Sequence, residues 1–504
     1  MLRKIRIIVS LTIFSLLVFY FFDFSGILPQ EIHLLTKIQL IPALLSLNWI
    51  VLAALLLTTL IFGRIYCSSI CPLGVMQDIS IWLARITSKK KKKFKFKKAH
   101  TVLRLSVLAV VLIAFLAGFS LLLGLLDPYG IFGRIVLHIF KPAYLVGNNV
   151  LADTLSASGG MQFYRVPIYF LSVSALVVSL FSLAVVGWLS WFRGRLYCNS
   201  ICPVGTALGY VSKVALFKIR INDDLCNSCG ACGRRCKANC IDTKKHAIDY
   251  SRCINCFDCI EVCNTKAMSF SYAMKPKQHA EKPDASKRQF LFALGAAGAG
   301  AGTLIAANTL PSVKTQLVPQ LSPIMPPGAL SIDNFSQKCI SCHLCVSKCP
   351  GHVIRPSFLE YGLGGMMQPL LKYEDGFCNY NCTLCSDICP TGAILPQSVD
   401  QKHLLQIGRV QLELDKCIVI TDDTNCGACS EHCPTQAVHM VPYKFGLTQP
   451  AIDADICVGC GGCEYICPAR PQKAIYIGGV DKQVPIDFEI DREMKDIDVD
   501  DFGF

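Results

Sequence analysis

The chain has 504 residues, 52% of them hydrophobic, with a mean hydropathy of +0.43 and a formal net charge of +13. That apolar content excludes an ordinary soluble domain, and 29 cysteines are far more than packing requires. The positive excess does not point to nucleic acid, because the lysines cluster in KKKKKFKFKK (89–98) between two apolar runs, where a basic loop is a topology signal.

Five apolar runs are long enough to cross a bilayer, which takes about 20 residues as a helix. They fall near 5–22, 46–64, 103–126, 167–192 and 290–309. The first follows the basic start MLRKIR, has no small-residue cleavage site, and is read as an anchor. Lysine and arginine bias puts the amino terminus, the lysine run and residues 193–285 in the cytoplasm. Loops 23–45 and 127–165 then face outward.

Spans two and four each end in a thiol motif, GRIYCSSICPLG (63–74) and GRLYCNSICPVG (194–205), identical at nine of twelve positions. The repeat is read as a duplicated helical hairpin, and pseudo-symmetric halves of this kind often build a shared site between them. Three readings of Cys67, Cys71, Cys198 and Cys202 stay open. The four supply one shared thiolate site, each pair is a dithiol switch, or each simply packs with its proline at a helix terminus. Arg64 and Arg195, three residues before the first cysteine of each pair, either stabilise thiolates or mark the interface.

Beyond span four the cysteines fall into quartets. Cys226, Cys229, Cys232 and Cys236 have the spacing C-x2-C-x2-C-x3-C, repeated by Cys253, Cys256, Cys259 and Cys263. After span five, Cys339, Cys342, Cys345 and Cys349 have it again, as do Cys457, Cys460, Cys463 and Cys467. Cys378, Cys382, Cys385 and Cys389 differ by one residue in the first gap, and Cys417, Cys426, Cys429 and Cys433 have a long first gap. Six quartets of thiolates point to six [4Fe–4S] clusters, in which the fourth cysteine commonly serves the neighbouring cluster. That rule joins Cys226, Cys229 and Cys232 to Cys263, and Cys253, Cys256 and Cys259 to Cys236. Beyond residue 329, quartet one pairs with either quartet two or quartet four. Zinc ribbons do not repeat this spacing, and disulfides have no reason to. CISCH (339–343) matches a haem-attachment pattern, but that reading strands Cys345 and Cys349. Cys240 lies outside every quartet and is expected to pack as a small hydrophobe.

No GxGxxG after a strand and no phosphate loop accompanies the clusters, so the chain is read as a conductor of single electrons whose two-electron partner in the bilayer is a quinol. Spans one to four, both GRxYCxxICPxG motifs and the next two quartets resemble NapH, the membrane quinol dehydrogenase subunit of periplasmic nitrate reductase systems. The wider group includes the nitrous-oxide regulator NosR. SKRQFLF (286–292) is similar to a twin-arginine export signal with Lys287 in place of the first arginine. That segment and the four later quartets resemble NapG, so the chain resembles a NapH–NapG fusion. Lys237 and Asn264 stand where the family has prolines. The resemblance implies transfer of electrons from menaquinol or ubiquinol to a periplasmic cytochrome or nitrate reductase.

The expected architecture is therefore a membrane α-helical protein, a four-span module plus a fifth span, with ferredoxin-like α+β [4Fe–4S] domains on both sides. Its divisions are a membrane module (1–215), a cytoplasmic two-cluster domain (216–280), a twin-arginine-like span (281–310), a linker (311–328), a periplasmic four-cluster domain (329–480) and an acidic tail (481–504). The expected location is a bacterial inner membrane with residues 311–504 periplasmic. For quinol, Asp127 or His138 is the expected proton acceptor, in an outward loop with Tyr129 and Arg134, and Glu31 and His33 lie in the other outward loop. The tail either docks a basic cytochrome patch or is simply solvated. Two other functions compete: electron export from a cytoplasmic donor, and redox maturation or regulation of a periplasmic metalloenzyme.

Overall fold

The computed structural model describes residues 1–23, 26–87, 94–156, 164–169, 172–272 and 322–486. The twin-arginine-like segment, the fifth span, residues 311–321 of the linker and residues 487–504 of the acidic tail lie outside the described residues, and the expected tail's first residues, 481–485, end a strand that starts at Ile475. Three helices among those described are long and apolar enough to cross a membrane: Leu2–Phe22, Pro128–Leu155 and Val173–Arg193.

The first of these is α1 (Leu2–Phe22). Short helices α2 (Leu34–Lys37) and α3 (Leu40–Leu45) lead to α4 (Trp49–Phe62), which starts where the Asn48 side chain accepts the Val51 N–H at 3.2 Å. Gly63 stops it with φ +70°, a left-handed conformation that glycine adopts without cost. The chain then makes the short α5 (Ile65–Ser69) and turns at Cys71 into α6 (Pro72–Thr87). Proline at the first helical position costs no hydrogen bond there. The second copy repeats the pattern: α11 (Val173–Arg193), Gly194 at φ +71°, α12 (Leu196–Ser200), and α13 (Pro203–Ser212).

Two expectations are corrected between the copies. The run 103–126 is not one helix but α7 (Thr101–Leu116) and α8 (Leu121–Leu126), separated by a turn. The expected loop 127–165 is helical as far as Ser156: α9 (Pro128–Ile135), a π turn (Val136–Phe140) and α10 (Lys141–Ser156) run on without a break. Arg134, His138 and Lys141 lower the hydropathy of this stretch, but protein packs over it, and every residue of α9 is buried.

A first cluster module, 217–272, has a two-stranded sheet of β1 (Phe217–Ile221) and β2 (Met268–Tyr272), paired antiparallel, around two loop-helix cysteine turns. It sits on the Arg3 end of the bundle. Buried Arg104 donates to the Ser251 hydroxyl at 3.0 Å, and buried Arg64 donates to the Ser251 carbonyl at 3.1 Å. Asn239 donates to the last carbonyl of α11, at Arg193, at 2.9 Å, and Asn255 does the same for α4 at Phe62.

A second cluster module, 322–486, covers the opposite end of the bundle. Arg134 donates to the Ser341 carbonyl at 3.1 Å, the Ser347 hydroxyl to the Phe21 carbonyl at 2.6 Å, and Lys348 pairs with Asp23 at 2.9 Å. Arg3 meanwhile pairs with Asp258 of the first module at 2.9 Å. The two modules thus hold opposite ends of α1, and its contacts at Arg3 and Phe21 are about 27 Å apart at the usual helical rise.

Candidate iron–sulfur and thiol sites

In the first module Cys226, Cys229, Cys232 and Cys263 line one cavity. Cys259 lies within electrostatic range of Cys256, Cys253 and Cys236. Cys240, 1% exposed, packs within the hydrophobic core and also sits beside this second group, its Sγ 3.5 Å from that of Cys236. Its spacing of four from Cys236 was the sequence signal that could have placed it there.

In the second module Cys345 is near Cys342, Cys339, Cys389 and Cys385, and Cys385 is near Cys378, Cys349 and Cys382. Cys417, Cys426, Cys429 and Cys467 line one small cavity, while Cys463 neighbours Cys460, Cys457, Cys433 and Cys429. The Cys339 quartet thus lies beside the Cys378 quartet, and the Cys417 quartet beside the Cys457 quartet.

The local backbone explains the spacing. Ser228, Asn255, Phe257, Ser341 and His343 all have positive φ between 49° and 61°. Such residues curl each triplet into a concave nest of N–H groups that suits a negatively charged group. Burial, with neighbouring negative groups adding, pushes the Cys256 and Cys342 thiols up to about 12. Burial also raises Cys378 to about 11, against the pull of Lys402. Crowded buried thiols resist losing protons on their own, and bound iron supplies the cationic charge that lets them do so. The donor sets fit [4Fe–4S] clusters, which supply single-electron chemistry when bound.

The four remaining motif cysteines converge. Cys67, Cys71, Cys198 and Cys202 are each no more than 4% exposed. Cys202 lies within electrostatic range of the other three. Each motif residue has a visible task. Arg64 crosses to the second copy, donating to the Cys198 carbonyl at 3.3 Å and the Asn199 side chain at 2.9 Å. Arg195 crosses the other way, to the Cys67 carbonyl at 2.5 Å. The Tyr66 hydroxyl bonds Gln39 at 3.0 Å, and Tyr197 donates to the Leu126 carbonyl at 2.8 Å. At Gly74 a Cβ would stand 2.4 Å from the Cys67 carbonyl oxygen, and at Gly205 one would stand 2.0 Å from that of Cys198. Only glycine permits that approach. The result is a closed cup of four thiols within the bundle, with an arginine exchanged in each direction.

The two expected quinol residues are not together. Asp127 is 1% exposed and caps α9, accepting the Gly130 N–H at 2.6 Å. His138 stands on the π turn, its Nε2 2.9 Å from Nδ1 of His343, whose Nε2 lies 2.7 Å from the Met367 carbonyl. His138 and His33 line a cavity of about 730 Å³ between the bundle and the second module, which Asp127 does not reach. Lys141, His352, Tyr169 and the Cys349–Pro350 turn line it too, with Asp23, Lys348 and Asp387 among its other polar groups. Sequence reasoning missed Lys141, Tyr169 and His352.

Comparison with known proteins supports the chemistry. A 4Fe–4S binding domain family matches residues 46–94 and 175–222, the two thiol hairpins, and a 4Fe–4S dicluster domain family matches 424–470. An uncharacterized protein of Methanocaldococcus jannaschii is 26% identical over 211 residues, covering 42% of this chain and 65% of that protein. The ferredoxin-type protein MauM of Methylobacillus flagellatus, named for methylamine utilization, is 28% identical over 165 residues, 31% of this chain and 68% of MauM. The ferredoxin-type protein NapH of Haemophilus influenzae is 25% identical over 220 residues, 42% of this chain and 62% of NapH. The chain thus spans less than two thirds of the M. jannaschii protein and of NapH. No solved structure matches. These similarities support an iron–sulfur electron-transfer protein of the NapH and MauM type, associated with a membrane.

Proposed function

We propose that the chain oxidises quinol in the membrane and delivers the electrons to a periplasmic redox partner, a NapH-like membrane part joined to a NapG-like cluster part. The observation that carries this reading is the cavity of about 730 Å³, which brings His33, His138 and Lys141 against the Cys349–Pro350 turn of a cluster loop. Apolar side chains such as Leu28, Leu137, Leu176 and Ile388 give it a surface for a quinol ring, and His33, His138 and His352 are of the kind that accept or donate protons. In this reading His138 takes a quinol proton, and Asp127, walled off as a helix cap, does not. A nitrate reductase or its cytochrome as acceptor is inferred from the family resemblance. Under this reading His138→Gln lowers quinol oxidation by about a hundredfold with iron content unchanged. Normal oxidation in that variant would remove His138 from the reading. Six clusters correspond to about 24 irons per chain in anaerobically purified protein.

A second reading, electron export from a donor at the Arg3 end, is favoured by the cup. Its Arg195 also pairs with Asp78, which Lys237 of the first module shares. Its Tyr197 reaches the α8–α9 junction, where Gly124 and Gly130 touch Ile340 of the second module. We read the four thiols as one shared site between the two modules. Cys256→Ser separates the readings: in the first, quinol-driven reduction of the acceptor survives it, and in the second, reduction of the acceptor by a donor at the Arg3 end is lost. Maturation of a periplasmic metalloenzyme remains the reading to adopt if the acceptor is reduced normally by a chain-deleted strain.

A further inference from the structure

The Arg3 end of the bundle holds a second large cavity, of about 790 Å³, which neither electron path uses. It opens between α1, α6 and the short helices Ala231–Arg235 and Asp258–Glu261. Arg3, Arg6, Arg85, Arg234, Arg235 and Lys237 line it, against two carboxylates, Asp78 and Asp258. Both carboxylates are already engaged. Asp78 is shared by Arg6, Arg195 and Lys237, and Asp258 by Arg3 and Lys237. Arg85, Arg234 and Arg235 have no carboxylate partner among the described residues. Among the described residues Arg85 donates to the Arg235 carbonyl, at 3.1 Å, and lies over the Phe94 ring, and Arg234 donates to the Cys229 carbonyl, at 2.8 Å. The Nε of Arg6, in a side chain that is 6% exposed, has no acceptor.

This excess is not explained by the clusters nearby. Arg6 and Arg85 come from bundle helices and not from cluster loops, and they face the same space as Arg235. A neutral ring such as a quinone has no use for so many cations. The rest of the cavity wall is apolar apart from Ser10, with Leu11, Ile79 and Trp82 leading out to the surface, where Trp82 is 60% exposed. A tryptophan at the mouth of a basic pocket is the usual furniture of a membrane interface. Arginine forks match phosphate oxygens two at a time, and basic pockets between membrane helices recognise anionic headgroups.

We propose that this cavity binds the headgroup of an anionic phospholipid, with Arg85 and Arg235 on the phosphate, Arg6 behind them, and the acyl chains along Leu11 and Trp82. The ligand closes the cation-rich seam between α1, α6 and the first cluster module.

The test uses full-length, cluster-loaded protein, delipidated in detergent and titrated with phosphatidylglycerol, phosphatidylcholine or inorganic phosphate while tryptophan fluorescence and the thermal midpoint are followed. Phosphatidylglycerol alone should bind saturably and raise the midpoint. The Arg85→Gln/Arg235→Gln variant should lose about thirtyfold in apparent affinity for it at unchanged iron content. An equal response to phosphatidylcholine, or to inorganic phosphate, overturns the proposal, the latter by making this a soluble-anion site. Displacement of the lipid by a quinone analogue overturns it as well. Should the variant fail to fold, native mass spectrometry of the wild type decides: one retained phosphatidylglycerol in preference to phosphatidylcholine supports the site, and no preference refutes it.

Discussion

The two thiol hairpins differ at only three of twelve motif positions, yet their arginines stand in unlike surroundings. Arg195 is fully buried and pairs with Asp78 at 2.8 Å. Arg64 is buried as deeply but meets no carboxylate among the described residues, and is held by Asn199 and two carbonyls instead. The reason lies in two substitutions between the copies. Asp78 is matched by Gly209, and Ser68 by Asn199. The thiols inherit the difference: Cys67 lies 3.7 Å from the Arg64 guanidinium, whereas Cys198 receives the neutral amide of Gln77 at 3.3 Å. A duplicated scaffold has kept its backbone geometry and changed the partners of its two arginines.

The largest way to break this comparison is to remove one thiol from each copy. Cys67→Ser/Cys198→Ser is expected to abolish electron transfer between the two cluster modules while the quartets retain their iron, measured by cluster reduction and iron analysis. Unchanged transfer would demote the cup to packing. Asp78→Asn comes next, because it strands Arg6 and Arg195 and leaves Lys237 only Asp258. A loss of about 3–5 kcal/mol is expected from denaturant unfolding in detergent, as for other broken buried ion pairs. Arg64→Gln removes hydrogen bonds from a charged group but no ion pair, and about 1.5–3 kcal/mol is expected. Equal losses in the two variants would mean that the asymmetry carries no energy. The finest test compares Gly205→Ala with Gly74→Ala. Both overpack their turns by about 1–3 kcal/mol. Gly205→Ala is expected to be the worse, since its Cβ is the closer to a carbonyl oxygen.

What the sequence could reveal follows from how local each constraint is. Cysteines that wrap one group from a single loop must keep a fixed spacing, so the quartets stand out without any fold. Which fourth cysteine reaches which triplet in the second module depends on how the loops pack, and only the fold sets Cys389 beside Cys342 and Cys467 beside Cys426. The cup was visible as a repeat, but its crossed arginines were not, because Arg64 and Arg195 find their acceptors in the other copy. The helix from Pro128 to Ser156 was hidden by its own charges. Arg134 and Lys141 look like loop residues until their partners, the Ser341 and Ser347 carbonyls, are known. Asp127 and His138 are neighbours on the chain, and the start of α9 separates their environments.

Helix α1 is fastened at both ends, by Arg3 to Asp258 and by Phe21 and Asp23 to Ser347 and Lys348. A helix held this way acts as a spacer of fixed length. It cannot tilt to suit a thicker or thinner bilayer without carrying both cluster modules with it. Hydrophobic mismatch therefore becomes strain at the two docking faces. Acyl-chain length in reconstituted vesicles should tune the rate of electron transfer, with an optimum where the hydrocarbon thickness matches the span of α1.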